Sequence, residues 1–233
     1  MQKKILSENF NPDQVHVQAE QLRESGDFVE ALKTFETVIV GYQQEGNYAK
    51  VVEALQGRFL CYKHLFFLTQ DQIYAILGRQ DAQSSLEIAE RHNLKEILPS
   101  CYFRVGEASM LFNDFEKAAE NFEKAVCIFP GEGAEKGDWR YHWGEALYRS
   151  GKKEEGKEKI FEGLKEIQTN PDNRDSFLIH VWESGAYMKL ADLLREDEHE
   201  TAKNYLTKAN KIAQEDDRLI LRRRQIEELS QRF

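Results

Sequence analysis

One pattern constrains this chain more than any other. A small residue is followed four positions on by a large apolar one, and three further by a second small or slim residue. It occurs five times: Ala31-Phe35-Val38, Ala82-Leu86-Ala89, Ala118-Phe122-Ala125, Gly156-Ile160-Gly163 and Ala202-Leu206-Ala209. Offsets of four and seven place each set on one helical face. Small ends let a neighbouring helix approach closely while the large member fills the gap. A further small residue stands 12 positions before three of the sets, at Ala19, Gly106 and Gly144. That interval is what a tightly packed antiparallel helix pair requires. Turn-forming residues lie between, at Gly26-Asp27-Phe28, Asn113-Asp114-Phe115 and Gly151-Lys152-Lys153. Gly and Asn accept the left-handed conformation that ends a helix, and Asp caps the next. In the remaining two units Gly57 and Gly185 are the equivalents, 25 and 17 residues ahead, which implies longer helices there.

The residues then carry a resemblance. Tyr102-x2-Val105-Gly106, Asn113-Asp114-Phe115, Ala118-x3-Phe122-x2-Ala125 and Pro130 resemble the tetratricopeptide repeat (TPR), whose signature runs W-x2-L-G-x2-Y, A-x3-F, P. Ala19, Leu22, Gly26, Phe28, Ala31 and Phe35 match nearly as well. Residues 137–170 match more loosely, because Gly156 and Gly163 replace alanines and weaken a helix by up to ~1 kcal/mol each. The resemblance implies an all-α fold, a right-handed α-α superhelix of about five helix hairpins. The units are expected at about 12–46, 47–94, 99–131, 137–170 and 173–215, within one domain over 1–233. Successive sets start 51, 36, 38 and 46 residues apart, against 34 in the standard repeat. An irregular array is therefore expected, with longer helices around 48–68, 70–92 and 175–195.

Punctuation agrees. The chain has only 4 prolines in 233 residues, against a usual share of ~5%, so long helices are favoured. Pro12 and Pro99 suit first helical turns; Pro130 and Pro171 suit positions just past helix ends. Thr69-x-x-Gln72 fits a capping box opening a helix that runs to about His92. After the fifth unit, Leu219, Ile226, Leu229 and Phe233 share a helical face. Residues 217–233 read as a capping helix that covers the open end of the array, with homodimerisation or a partner contact as the alternative. Arg222, Arg223 and Arg224 lie off that face and read as solvated, since residues 195–233 hold 9 basic and 9 acidic side chains.

Candidate chemistry is sparse. Gly151 to Lys157 satisfies G-x-x-x-x-G-K, but Glu158 stands where Ser or Thr must hold the metal, and helix rather than strand precedes it. Gly131, Gly133 and Gly137 bracket a flexible loop between the third and fourth units. His16, His64, His92, His142, His180 and His199 are scattered without metal-ligand spacing. Cys61, Cys101 and Cys127 are odd in number and form no C-x-x-C, which points to reduced thiols and a cytoplasmic protein. Neither a cofactor nor a metal is expected. The net charge of −9 does not favour nucleic acid. The longest apolar patch, Leu65 to Leu68, is far short of a membrane span, and the opening residues lack the apolar core of a secretion signal.

In proteins that this sequence resembles, the first helix of each pair lines a groove that receives a peptide or a partner helix. Carried across, the resemblance places His16, Glu20, Arg23, Arg58, Tyr62, Phe103, Glu107, Tyr141, Glu145, Arg149, Trp182 and Lys189 in that groove. Its aromatics are the expected anchors. Members that grip chaperone C-termini use a lysine, asparagine and arginine clamp. Glu20 opposes a carboxylate and only Arg104 fits, so tight binding of that kind is not expected. The leading expectation is a non-catalytic scaffold or adaptor that binds another protein. A sensor of peptide or metabolite, acting through a change of superhelix, is the alternative. An enzyme built around Cys101 or a groove histidine is the third.

Overall fold

A computed structural model of the protein describes residues 10–169 and 174–233; the expected boundary residue Pro171 lies outside them. The structure comprises two compact units, Met1–Asp114 and Phe115–Phe233, whose junction falls inside the third expected repeat. Among the described residues there are only helices, turns and bends. The first unit holds α1 (Pro12–Glu24), α2 (Phe28–Glu45), α3 (Tyr48–Thr69), α4 (Gln72–Arg91) and α5 (Leu98–Met110). The second holds α6 (Phe115–Ile128), α7 (Ala134–Arg149), α8 (Lys153–Thr169), α9 (Ser176–Leu194), α10 (His199–Gln214) and α11 (Ile220–Ser230). Within each unit, helices adjacent in sequence pack together: α1 on α2, α3 on α4, α7 on α8, and α9 on α10.

Local chemistry sets the ends. Asn11, Asp27, Asn47, Asp71 and Asp175 each accept from a backbone N–H in the first turn of the following helix, satisfying donors that have no intrahelical partner. Pro12 and Pro99 open their helices. Gly26 and Gly151 take φ of +86° and +97°, so the α1–α2 and α7–α8 turns use a conformation that costs glycine little. The capping-box expectation at Thr69 is corrected: Asp71 caps α4. Thr69 is the last residue of α3, where its hydroxyl donates to Leu65 O at 2.7 Å and accepts from Asp71 N at 3.2 Å, one residue short of the first turn of α4.

The five small–large–small sets lie where their spacing requires. Ala31, Ala82, Ala118 and Ala202 are fully buried, and so is the Gly156 position. Phe35, Phe122 and Ile160 fill the space between, while Leu86 and Leu206 are half-buried. α7 and α8 approach each other backbone to backbone. A Cβ at Gly144 would lie 2.6 Å from Gly156 O, and one at Gly156 would lie 2.5 Å from Tyr148 N. A second crossing repeats this, with a Cβ at Gly137 2.5 Å from Gly163 O. The glycines that weaken α8 as an isolated helix thus permit backbone-to-backbone packing. Gly137 belongs to α7, not to a loop as expected, because that crossing requires it in the helix.

α11 packs on α9 and α10; Ile226 and Leu229 on it, and Leu219 just before it, are buried. The arginine run departs from its expected solvated face, since only Arg224 is exposed. Arg223 donates to Ala213 O, Asp216 O and Asp217 O at 2.9–3.1 Å, where carbonyls in the last turn of α10 and just beyond it need donors. Arg222 turns inward onto α9. An arginine side chain is long enough to leave the face its Cα occupies.

Candidate partner-binding surface

In the first unit the candidate residues begin on α1. Arg23 donates to Glu20 through Nε at 2.9 Å and Nη2 at 2.5 Å. Burial alone would raise the Glu20 carboxyl, but His16 and Arg23 bring it below its ordinary value. His16 Nδ1 lies 3.2 Å from the Tyr42 hydroxyl, which donates to Asp13 at 2.7 Å. Gly57 of α3 closes on this corner: a Cβ there would stand 2.5 Å from the Phe35 ring and 2.7 Å from Glu20 Oε1.

Along α3, Arg58 forms a two-pronged pair with Asp81 of α4, at 2.8 and 2.7 Å, and also reaches Glu36 of α2. Tyr62 is half-buried, its ring 6.5 Å from that of Tyr74. On α5, Glu107 accepts from Lys63 at 2.6 Å and from Arg104. His64, next to this cluster, stacks on Phe28 at 4.9 Å. Burial, aided by Lys63 and Arg23, pushes its pKa down to about 4.

In the second unit, Glu145 of α7 is 2% exposed and accepts from Arg149 Nε and Lys189 Nζ, both at 3.0 Å. Arg149 also donates to Asp192 of α9 at 2.7 Å. Burial would raise the Glu145 carboxyl, yet Lys189, Arg149 and His142 together hold it down at about 2. This cluster ties α7 to α9. Trp182 of α9 is half-buried and packs on the unit's core.

The expected residues therefore divide. Glu20 with Arg23 and His16, and Glu145 with Arg149 and Lys189, are brought together. Phe103 and Tyr141 are each 3% exposed, so neither offers an open ring. The Tyr141 hydroxyl projects toward α9, 2.8 Å from where a Cβ of Gly185 would be. Sequence reasoning missed Asp81, Glu36 and Asp192, the acidic partners of Arg58 and Arg149. Nothing in a helical period says which long basic side chain reaches which neighbouring helix.

Two cysteines are unsuited to nucleophilic chemistry. Burial raises Cys61 to about 12 and Cys101 to about 11, and the thiolate, not the thiol, is the reactive form. Gly156, in the phosphate-loop-like run, lies against Gly144, and Lys157 pairs with Glu198 at 2.6 Å; both residues are committed to packing.

No family model matches the chain, and no curated protein sequence matches it significantly. Solved structures do. A Podosopora anserina kinesin-light-chain candidate made of nearly identical TPR-like repeats aligns over 89% of this chain and 99% of its own, with 15% identity and a TM-score of 0.60. BtubC (BKLC) from P. vanneervenii aligns over 86% of this chain and 78% of its own, with 14% identity and a TM-score of 0.64. The fold is a TPR-like helical repeat. In TPR-like terms α1, α3, α5, α7 and α9 are first helices, and the charge clusters described above lie mainly on them. Among the described residues, no helix is long and apolar enough to cross a membrane.

Proposed function

We propose that this TPR-like protein is a non-catalytic interaction scaffold in which the first helices of each unit bind a segment of another protein. The observation that carries the reading is the set of half-buried basic groups fixed on first helices by acidic neighbours: Arg23 by Glu20, Arg58 by buried Asp81 of α4, and Arg149 and Lys189 by buried Glu145. Each is held by a neighbour before any partner arrives, so little side-chain entropy is lost on binding. Tyr62, one turn after Arg58 on α3, and Trp182 of α9 are half-buried rings that supply apolar contact area. Ionic groups of both signs suit a partner segment of mixed charge. The cytoplasm, inferred from three unpaired thiols, is the compartment that fits.

The reading is tested by affinity capture from the native host, comparing the wild type with Tyr62→Ala/Trp182→Ala and with a Lys33→Ala control. Circular dichroism verifies folding of each variant. The double variant should lose its specific partner while the control keeps it. If a well-folded double variant retains every partner, the first helices are not the binding site.

A further inference from the structure

Arg222 is spent in an unusual way. It belongs to α11, yet its guanidinium lies on α9 beside a hydroxyl of α7. Nη2 donates to Val181 O at 3.1 Å; Nη1 donates to Gln225 Oε1 at 3.0 Å and lies 3.8 Å from Met188 Sδ. Space for it exists because residue 185 is glycine: a Cβ there would stand 3.0 Å from Nη2 and 2.8 Å from Tyr141 Oη. Asp138 of α7, which accepts from the Tyr141 hydroxyl, is the acidic group whose charge acts on the guanidinium.

The side chain is poorly compensated. Its acceptors are a carbonyl, an amide and a thioether, not a carboxylate, and its Nε is buried without a partner. A buried charge with so incomplete a set of partners costs stability. Burial accordingly pushes the Arg222 pKa down. Docking of α11 does not require this contact. Leu219, Ile226 and Leu229 supply the apolar face, and Arg223 already binds the carbonyl end of α10. The N-terminus of α11 has no side-chain cap, so the helix is held by few groups.

We propose that the slot over Gly185 is a guanidinium-binding pocket on the first helices of the second unit, closed in cis by Arg222, and that an arginine on a helical segment of a partner protein is the ligand that replaces it. A guanidinium suits the slot because it is flat enough to lie over a residue without a Cβ, and a fork of N–H donors suits Val181 O and the field of Asp138. A helical bearer suits it because the resident arginine arrives on a helix. Replacement would free α11 and uncover Leu219, Ile226 and Leu229, so partner binding and release of the terminal helix are one event. The partner's role rests on the function proposed above; the pocket itself is tested without any partner.

The test uses the full chain carrying Arg222→Ala, melted with N-ethylguanidinium or with N-ethylammonium at equal concentration. N-ethylguanidinium should raise the melting temperature of the variant but not of the wild type, N-ethylammonium should do neither, and Gly185→Ala added to Arg222→Ala should abolish the rise. In parallel, a labelled peptide of residues 217–233 should bind the Arg222→Ala chain at least about tenfold more tightly than the wild type, and a peptide carrying Arg222→Lys should lose that gain. If Arg222→Ala does not fold, Arg222→Gln keeps the stem and serves for the peptide measurement. Equal response to the two small ions, or equal peptide affinity of variant and wild type, overturns the proposal. Because no cellular partner enters either measurement, failure here is separable from failure of the capture experiment.

Discussion

A methyl group is all that separates glycine from alanine, and at Gly144 there is no space for one. By propensity alone Gly144→Ala should strengthen α7 by up to ~1 kcal/mol. The contact with Gly156 O at 2.6 Å reverses the sign, because overpacking costs about 1–3 kcal/mol and here the obstacle is backbone. Chemical denaturation should therefore show Gly144→Ala less stable than wild type by about 2 kcal/mol, and an unchanged midpoint would mean that α7 and α8 are less close. His64 gives a second residue-scale expectation. Its folded pKa of about 4 lies below the ordinary value near 6.5, so the unfolded chain takes up the proton first. Stability present above about pH 6.5 should be lost progressively as pH falls toward 4. His64→Phe should flatten that limb of the melting-temperature profile, and an identical slope in wild type and variant would count against the assignment.

At the scale of elements, α7 and α9 are joined by an ionic cluster whose centre is Glu145. A carboxyl held down at about 2 stabilises the fold above its unfolded pKa of about 4.3 and loses that contribution as pH falls through the folded value. Glu145→Gln should cost on the order of 3 kcal/mol at neutral pH, with the deficit shrinking below about pH 4; a pH-independent deficit would assign the loss to packing alone. The hairpins themselves are legible because two short-range signals agree, a period that buries Ala31, Phe35 and Val38 together and turn-forming residues between the helices. What lies beyond the sequence is reach. Arg58 looks the same on paper whether it meets Asp81, Glu36 or water, and Arg222 reads as solvated because its Cα lies off the apolar face. Phe103 and Tyr141 belong with these: register puts them on the groove side, but how far a ring turns into the neighbouring helix depends on the residue opposite, which is Gly185 for Tyr141.

At the scale of the whole molecule, packing within each unit is dominated by neighbours in sequence, as in α3 on α4 in the first and α7 on α8 in the second. Stability in such arrays is close to a sum of local terms and nearest-neighbour terms. Hydrogen exchange read by mass spectrometry should therefore show Gly144→Ala accelerating exchange in α7 and α8 while leaving α1 and α2 at wild-type rates; uniform acceleration would instead describe one all-or-none unit. The glycine crossings carry a last implication, for how tolerance to mutation should be read. Every missense single-base change of a glycine codon adds at least one carbon, so Gly137, Gly144, Gly156 and Gly163 offer random variation no small step. A saturation screen would mark them as forbidden ground, and the mark would belong to the joinery of two helices rather than to any chemistry performed there.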